Sequence, residues 1–216
     1  PAAPPAAAPQ RPGGGAVATR LPVAAVRGGL GAGEPEPPVD TGRWVEADLE
    51  LPDGGRLTVV SAYIHSGTVS QPETMVAKYA YLEKVTARLR ELAATGEKVV
   101  LAGDLNIAHR NVDIKNWKGN LKSAGFLPEE RAYVDVWLDQ VGLVDLGRVH
   151  GGEGPGPFTW WSWRGRAFDN DSGWRIDYQL ATPSLAERAV KVEVDRAPSH
   201  EERWSDHAPL VVTYDV

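Results

Sequence analysis

A short apolar run that ends in a glycine, an acid and an amide constrains the fold of this chain most. Residues 98–106 read Lys-Val-Val-Leu-Ala-Gly-Asp-Leu-Asn. Residues 99–102 are apolar and rich in β-branched side chains, with no polar residue alternating between them, which predicts a strand buried on both faces. Gly103 lets the backbone turn where this strand ends.

Asp104 and Asn106 lie two residues apart, so in extended backbone their side chains point to the same side. Together they can present two oxygen donors to one point, and oxygen ligands suit hard cations such as Mg²⁺. A plain turn is the alternative interpretation, because Asp and Asn also favour turns.

The residues before this strand predict a hairpin and a helix. Residues 44–51 and 57–64 form two strands around a turn at Asp53-Gly54-Gly55, and the first strand alternates apolar residues with three acids. Residues 16–24 suggest a weak strand that Pro22 interrupts. Residues 76–93 repeat leucine and valine at helical spacing and precede a glycine, which predicts a helix. Hairpin, helix and buried strand together indicate mixed α and β layers.

The second half of the chain combines a long polar segment with aromatic clusters. Residues 107–126 predict a long loop, and Pro128 opens a helix that ends at Gly142. Residues 158–163 read Phe-Thr-Trp-Trp-Ser-Trp, and Arg164, Arg166 and Arg175 follow. The tryptophans fit either a core or a surface that stacks on nucleic acid bases beside phosphate-contacting arginines.

Two acids near the C-terminus suggest chemistry. Asp177 lies within the strand-like residues 174–180, where a charge is costly unless paired, so it requires a partner such as a histidine or a metal. Asp206 and His207 precede a predicted last strand at residues 210–214. An acid beside a histidine can activate water, although a lone histidine is more often structural.

Composition narrows the classes of function. The net charge is −6, which disfavours a protein held to nucleic acid by a broad basic face but leaves a metal-dependent nuclease open. The chain contains no cysteine, which excludes cysteine-bound zinc and suits a cytoplasmic location. No apolar stretch approaches the length of about 20 residues that a membrane span needs. Residues 1–15 are nearly all proline, alanine and glycine, which predicts a disordered start.

Three blocks, taken in order, resemble the endonuclease/exonuclease/phosphatase superfamily: Gly-Asp-Leu-Asn at 103–106, Trp-Arg-Ile-Asp-Tyr at 174–178 and Ser-Asp-His at 205–207. The blocks at 124–131 and 158–161 look like its exodeoxyribonuclease III and apurinic/apyrimidinic endonuclease branch. The resemblance implies an α+β fold, a four-layer sandwich of two facing mixed sheets flanked by helices, over residues 16–216. It also implies a monomer that cuts double-stranded DNA, at abasic sites or from 3′ ends, with Mg²⁺ or Mn²⁺.

Site residues carry over from the resemblance position by position. The catalytic residues would be Tyr63, Asp104, Asn106, Asp177 and His207. The metal ligands would be Asp104, Asn106, Asp206 and His207. The DNA contacts would be Asn116 and Asn120 together with a pocket for an extruded abasic sugar made by Trp160, Trp174 and Ile176.

The resemblance also predicts a gap. Family members begin with a strand that carries a Trp-Asn pair, and a second strand ends in Gln-Glu, whose glutamate is a principal metal ligand. Neither block occurs here, so we expect the N-terminal strands to be missing and metal binding to be impaired. A non-catalytic DNA-binding remnant is therefore the main alternative, and a phosphatase acting on lipids or inositol phosphates is another.

Overall fold

The computed structural model describes residues 14–30 and 42–216, so the predicted disorder of residues 1–15 lies almost wholly outside the described residues. The strands are β1 (Val23–Gly28), β2 (Trp44–Glu50), β3 (Arg56–Tyr63), β4 (Lys98–Asp104), β5 (Val144–Asp145), β6 (Asp177–Ala181), β7 (Ala189–Val194) and β8 (Leu210–Tyr214). The helices are α1 (Pro72–Ala94), α2 (Pro128–Asp135), α3 (Leu146–Gly151) and α4 (Pro183–Ala186), with 3₁₀ turns at Asn111–Asp113 and Trp117–Asn120 and a π-helical turn at Val136–Gln140. Within these described ranges, no helix is long and apolar enough to cross a membrane.

Six strands form one mixed sheet in the order β1-β2-β3-β4-β6-β5, and β7 pairs with β8 in a second sheet. The pair β3 and β4 is parallel, because α1 connects them across one face of the sheet, and the other neighbours are antiparallel. Because β3 and β4 are parallel and β6 is antiparallel to β4, the C-terminal ends of β3 and β4 and the N-terminal end of β6 lie at the same edge of the sheet.

The large sheet buries side chains on both faces. Alternate residues of β3 and β4, such as Val60 and Leu101, pack against α1 and α2. The intervening residues, such as Leu57 and Val100, pack against the two-stranded sheet at Val212. This arrangement confirms the predicted α+β class, with two facing sheets and helices outside them.

The hairpin is confirmed, but two of the three acids that alternate along its first strand, Glu46 and Asp48, are buried. Glu46 is 1% exposed and accepts hydrogen bonds from Arg27 Nε and Arg88 Nε, both at 2.7 Å. Burial opposes the charge, but the hydrogen bonds from Arg88, Trp44 and Arg27 keep the pKa of Glu46 below its ordinary value. Glu46 and Asp48 are buried because Arg27 of β1 and Arg88 of α1 pair with these acids, whereas Glu50 at the end of the strand is exposed.

The other differences are local. Residues 14–19 form no strand and β1 starts at Val23, since Pro22 has no N–H and only its carbonyl joins the sheet, accepting from Glu50 N at 3.0 Å. The predicted long loop at 107–126 contains two short 3₁₀ turns. Asp177 begins β6 instead of lying inside it.

Candidate active site

Three of the predicted catalytic side chains meet at one edge of the large sheet. In the pairing of β4 with β6, Asp104 lies opposite Asp177, and in the pairing of β3 with β4 it lies opposite Tyr63. Gly103 makes this close pairing possible, because a Cβ atom at its φ of +150° would lie 1.9 Å from the carbonyl oxygen of Ala62.

Asn106 fixes the carboxylate of Asp104. Its backbone N–H donates to Asp104 Oδ1 at 2.9 Å, and its side-chain Nδ2 donates to Asp104 Oδ2 at 2.8 Å and to the carbonyl of Ile64 at 2.9 Å. The backbone of Asn106 has a φ of +49°, a left-handed conformation that asparagine tolerates better than most residues. Asn106 therefore acts here as a clamp that sets the orientation of the acid.

His207 connects the two aspartates. Its Nδ1 lies 2.9 Å from Asp177 Oδ2, and its Nε2 lies 4.0 Å from Asp104 Oδ2. Asp177 thus has the histidine partner that the sequence required. Burial opposes protonation of His207, but the hydrogen bond to Asp177 and the charges of Asp177, Asp104 and Asp206 outweigh it and raise its pKa.

Asp104 is the most perturbed acid of this site. Burial, reinforced by the nearby charge of Asp177, raises its pKa from 3.8 to about 7. Burial of Tyr63 and the nearby charge of Asp104 raise the pKa of the Tyr63 hydroxyl, so this hydroxyl stays protonated and can donate a hydrogen bond. An acid that titrates near neutral pH beside a histidine is typical of proton-transfer sites.

Three of the four predicted metal ligands lie close together, since Asn106 Nδ2 is 2.8 Å and His207 Nε2 is 4.0 Å from Asp104 Oδ2. Asp206 Oδ2 accepts a hydrogen bond from Trp160 Nε1 at 2.9 Å, and His207 Nδ1 faces Asp177. In the part of the chain that the structure describes, no group of three or more His, Cys, Asp or Glu side chains could hold a metal ion. Asp104 fits as a single oxygen ligand, and a cation there would depend on water and substrate phosphate for its remaining ligands, as Mg²⁺ commonly does.

A pocket of about 290 Å³ opens beside the two aspartates and is lined by Ser66, Asn106, Ala124, Gly125, Trp160, Trp174, Ile176 and His207. It therefore contains all three residues that were predicted to hold an abasic sugar. Trp160 and Trp174 pair through two backbone hydrogen bonds of 2.9 Å, and their rings lie nearly perpendicular, 6.2 Å apart. The backbone of His207 pairs with that of Trp160 in an isolated antiparallel bridge. Its side chain contacts Asp177, and the residue lines the pocket, so His207 lies between the pocket and the acids.

Neither of the two predicted DNA-contacting asparagines lines this pocket. Asn116 is exposed and precedes the second 3₁₀ turn, while Asn120 Nδ2 donates to the Asn116 carbonyl at 2.9 Å. Ser123 in turn donates to Asn120 Oδ1 at 3.0 Å. Both asparagines shape the surface of the loop whose far end, at Gly125, lines the pocket.

Sequence reasoning missed two buried ionic groups that support the site. Lys78 Nζ donates to Glu130 Oε1 at 2.6 Å and to the carbonyls of Ser66 and Asn106 at 3.0 Å. Glu130 is an acid in the first turn of a helix, where acids are common, and a lysine within a helix ordinarily lies on its solvated face. The sequence therefore gave no clear sign that the two side chains form a buried pair.

The second group surrounds Arg175. Its Nε donates to Asp113 Oδ1 at 2.7 Å and its Nη2 lies 2.8 Å from Asp145 Oδ2, while Arg148 also pairs with Asp113. Arg175 is 1% exposed and lies between the pocket residues Trp174 and Ile176. The group therefore connects the loop at Asp113 to the strand that carries Asp177. The sequence did contain a signal for this group: Arg175 lies in an apolar stretch, and a buried charge costs free energy unless it is paired.

The comparison with known proteins agrees with this geometry. The model of the Endonuclease/Exonuclease/phosphatase family matches residues 2–207. The chain belongs to this family. The nucleases of the family depend on a divalent metal.

Among curated relatives in the Endonuclease/Exonuclease/phosphatase family, the exodeoxyribonuclease III of Haemophilus influenzae is 35% identical over 179 residues, which cover 78% of this chain and 65% of the relative. The exodeoxyribonuclease of Bacillus subtilis is 39% identical over 118 residues, covering 55% of this chain and 45% of the relative. The chain thus spans about half to two thirds of these relatives.

Solved structures show the same fold. A 3′ phosphatase from Neisseria bound to a product DNA hairpin superposes with a TM-score of 0.79 at 29% identity, covering 92% of this chain and 73% of that chain. An AP endonuclease from Archaeoglobus fulgidus gives a TM-score of 0.77 at 26% identity, covering 91% and 72%.

Proposed function

We propose that the chain hydrolyses phosphodiester bonds of DNA as an exodeoxyribonuclease III-like nuclease, acting at abasic sites and at 3′ ends. The observation that carries this proposal is the Asp177–His207–Asp104 arrangement at the mouth of the Trp160 and Trp174 pocket. The relatives and the solved neighbours named above are exodeoxyribonucleases, AP endonucleases and a DNA 3′ phosphatase, and they support the same substrate.

In this proposal the side chains divide the work of an in-line attack by water. Asp104 orients the water and accepts its proton, because Asn106 holds its carboxylate beside His207 at the edge of the pocket. Asn106 keeps the acid in place, and Asp177 holds His207 in the tautomer that carries its proton on Nδ1. When protonated on both nitrogens, His207 offsets the charge that develops on the phosphate, and the Tyr63 hydroxyl donates to it.

The cation is Mg²⁺ or Mn²⁺ in this proposal, with Asp104 as the ligand that the described residues offer. When bound, it would supply positive charge beside the phosphate and lower the pKa of water. Asn106 Oδ1, His207 Nε2 and Asp206 would be the further ligands in this proposal, and of these Asp206 already accepts a hydrogen bond from Trp160 through its Oδ2.

The pocket favours an abasic nucleotide. A nucleotide without a base loses little stacking when it is extruded, and an apolar pocket walled by Trp160, Trp174 and Ile176 accommodates its sugar. Asn116 and Asn120 would contact the DNA backbone beside it. We further propose that residues 16–216 act as one nuclease domain, as a monomer in the cytoplasm, on double-stranded DNA.

A 5′-end-labelled duplex tests the proposal, because the label stays on the strand while nucleotides are removed from its 3′ end. With Mg²⁺, the chain should shorten the duplex from its 3′ end, while Asp104→Ala and His207→Ala should each lose activity and retain the circular dichroism spectrum of the wild type. Wild-type activity in both variants would contradict the assignment of this site.

A non-catalytic DNA-binding role is the second candidate. The lack of a three-residue metal group in the described ranges favours it. It predicts that the chain binds an abasic duplex without cutting it in either Mg²⁺ or Mn²⁺, whereas cleavage in either metal would exclude it.

A further inference from the structure

Thr159 is a buried residue that contacts the segments on which Asp177 and His207 lie. Its side-chain Oγ1 accepts hydrogen bonds from Ile176 N at 3.2 Å and from Asp177 N at 3.1 Å. Its backbone carbonyl accepts from Ala208 N at 2.8 Å, and Ala208 directly follows His207. The same residue therefore bonds to the backbone of both segments.

The hydroxyl of Thr159 takes the place of a neighbouring strand at the N-terminal end of β6. In the described sheet, β5 pairs with β6 at Leu180 and Ala181 and does not extend to Asp177. The N–H groups of Ile176 and Asp177 bond to the hydroxyl instead, and a buried N–H group without an acceptor is costly. If the hydroxyl is lost, we expect the start of β6 to shift toward another acceptor.

The backbone on the other side of His207 is attached to the same segment of the chain. Trp161 N donates to the carbonyl of Asp206 at 2.9 Å. Trp160 and His207 pair in an isolated antiparallel bridge. The imidazole and its acid partner are therefore both placed relative to the segment that begins at Thr159.

The contact that these bonds hold in place joins residues that are far apart in the sequence. His207 Nδ1 lies 2.9 Å from Asp177 Oδ2 and 3.1 Å from Asp177 Oδ1, although the two residues are 30 positions apart. A displacement of either backbone therefore changes these distances directly. Misplacement of a reacting group by about 1 Å can slow a reaction by about 100-fold, so these distances matter for catalysis.

We propose that Thr159 is a positioning residue for the candidate reaction, whose hydroxyl and carbonyl together hold Asp177 and His207 at hydrogen-bonding distance. Thr159 does not line the pocket, so it acts through these two residues and not by contact with the substrate. The effect on catalysis rests on the proposed function, whereas the effect on the Asp177–His207 contact does not depend on the substrate.

Kinetics of two substitutions test the effect on catalysis. Thr159→Val keeps the shape of the side chain and removes the acceptor, while Thr159→Ser keeps the hydroxyl. On a duplex with one abasic analogue in Mg²⁺, Thr159→Val should lower kcat about tenfold or more and change KM less than about twofold. Thr159→Ser should retain most of the wild-type kcat.

A spectroscopic measurement tests the geometry without catalysis. Long-range ¹H–¹⁵N spectra of the histidine side chains show which ring nitrogen carries the proton, at one fixed pH where the imidazole is neutral and with EDTA present. The signals of His207 are assigned with His207→Gln. Wild type and Thr159→Ser should carry the His207 proton on Nδ1, which faces Asp177, while Thr159→Val should show a mixture of the two tautomers.

Thr182→Val is the matched control, because Thr182 is 5% exposed and directly follows the other end of β6. Its Oγ1 accepts from Val99 N at 3.0 Å, so this substitution also removes a hydrogen bond between a buried hydroxyl and the backbone. Thr182→Val should lower Tm without changing kcat or the His207 tautomer. If circular dichroism shows that Thr159→Val does not fold, Thr159→Ala removes the same hydroxyl and replaces it in both experiments.

Wild-type kcat in Thr159→Val, an equal loss of kcat in Thr182→Val, or no rescue by Thr159→Ser would overturn the positioning role. An unchanged His207 tautomer in Thr159→Val would overturn it as well. If the wild type does not cut DNA, the proposed function fails, and the comparison of tautomers alone then decides whether Thr159 holds the Asp177–His207 contact.

Discussion

Lys78 Nζ lies 2.6 Å from Glu130 Oε1, and neither side chain is exposed to solvent. The same ammonium group donates to the carbonyl of Asn106, and the other oxygen of Glu130 accepts from Gly125 N at 2.7 Å. The pair therefore joins α1 to the backbone of two pocket residues, Asn106 and Gly125. Through Asn106 it helps to position the carboxylate of Asp104.

Removing the lysine should destabilise the fold strongly. Lys78→Met leaves Glu130 buried without its cation, which typically costs about 3–5 kcal/mol in free energy of unfolding. Urea denaturation followed by circular dichroism measures the change. Lys84→Met, on the exposed face of the same helix, is the matched control and should change stability by less than about 0.5 kcal/mol. Equal effects of the two substitutions would show that the buried pair has no special role.

Arg175 should not tolerate replacement by lysine. The guanidinium serves Asp113 and Asp145 at once, and a lysine cannot reproduce this planar fork, so a buried carboxylate loses a donor. We expect a loss of about 1–3 kcal/mol in the free energy of unfolding. Arg166→Lys, whose side chain is 77% exposed, should have no measurable effect under the same conditions. A neutral Arg175→Lys would mean that the network is not needed to support β6.

The sequence predicted the elements whose signals are local. The apolar run before Asp104, the hairpin turn at Asp53 and the leucine spacing of α1 each specify their structure from neighbouring residues alone. The position of Asp177 in a strand-like segment predicted a histidine or a metal as its partner, because a buried charge needs compensation.

The partners that come from distant segments could not be predicted. Glu46 alternates like a surface acid, and only the packing of α1 and β1 shows that it is buried with Arg27 and Arg88. Lys78 and Glu130 are separated by 52 residues, so their pairing depends on the folded arrangement of α1 and α2. Strand β7 was also missed, although its valines alternate with Lys191 and Glu193, a local pattern that predicts a half-buried strand.

Asp104 should make stability depend on pH. Its pKa is about 7 in the folded protein against 3.8 as the ordinary value, so between these pH values the folded state retains a proton that the unfolded chain has released. Stability therefore falls as pH rises through this window. In EDTA, Asp104→Asn should raise Tm relative to wild type more at pH 8 than at pH 4. Differential scanning calorimetry at the two pH values measures this, and an equal Tm difference at both would contradict the raised pKa.

Trp174 should affect one activity more than the other. Trp174→Ala opens the wall of the pocket but leaves the contacts of Asp104, Asp177 and His207 unchanged. We expect incision at an abasic site to fall about tenfold or more, which corresponds to about 1.4 kcal/mol of lost contact between the sugar and the indole, while degradation from 3′ ends is less affected. Parallel time courses on the two substrates give the ratio, and an equal loss of both would argue against the pocket assignment.

The most direct test of the account is incision of a duplex that carries one abasic analogue, in Mg²⁺ and in EDTA, with Asp104→Ala as the inactive control. The account predicts cleavage 5′ to the lesion that requires the metal and is lost in Asp104→Ala. Cleavage that persists in EDTA or in the variant would contradict the proposed chemistry, and binding of the duplex without cleavage in Mg²⁺, or in Mn²⁺ in a parallel reaction, would replace it with the non-catalytic role.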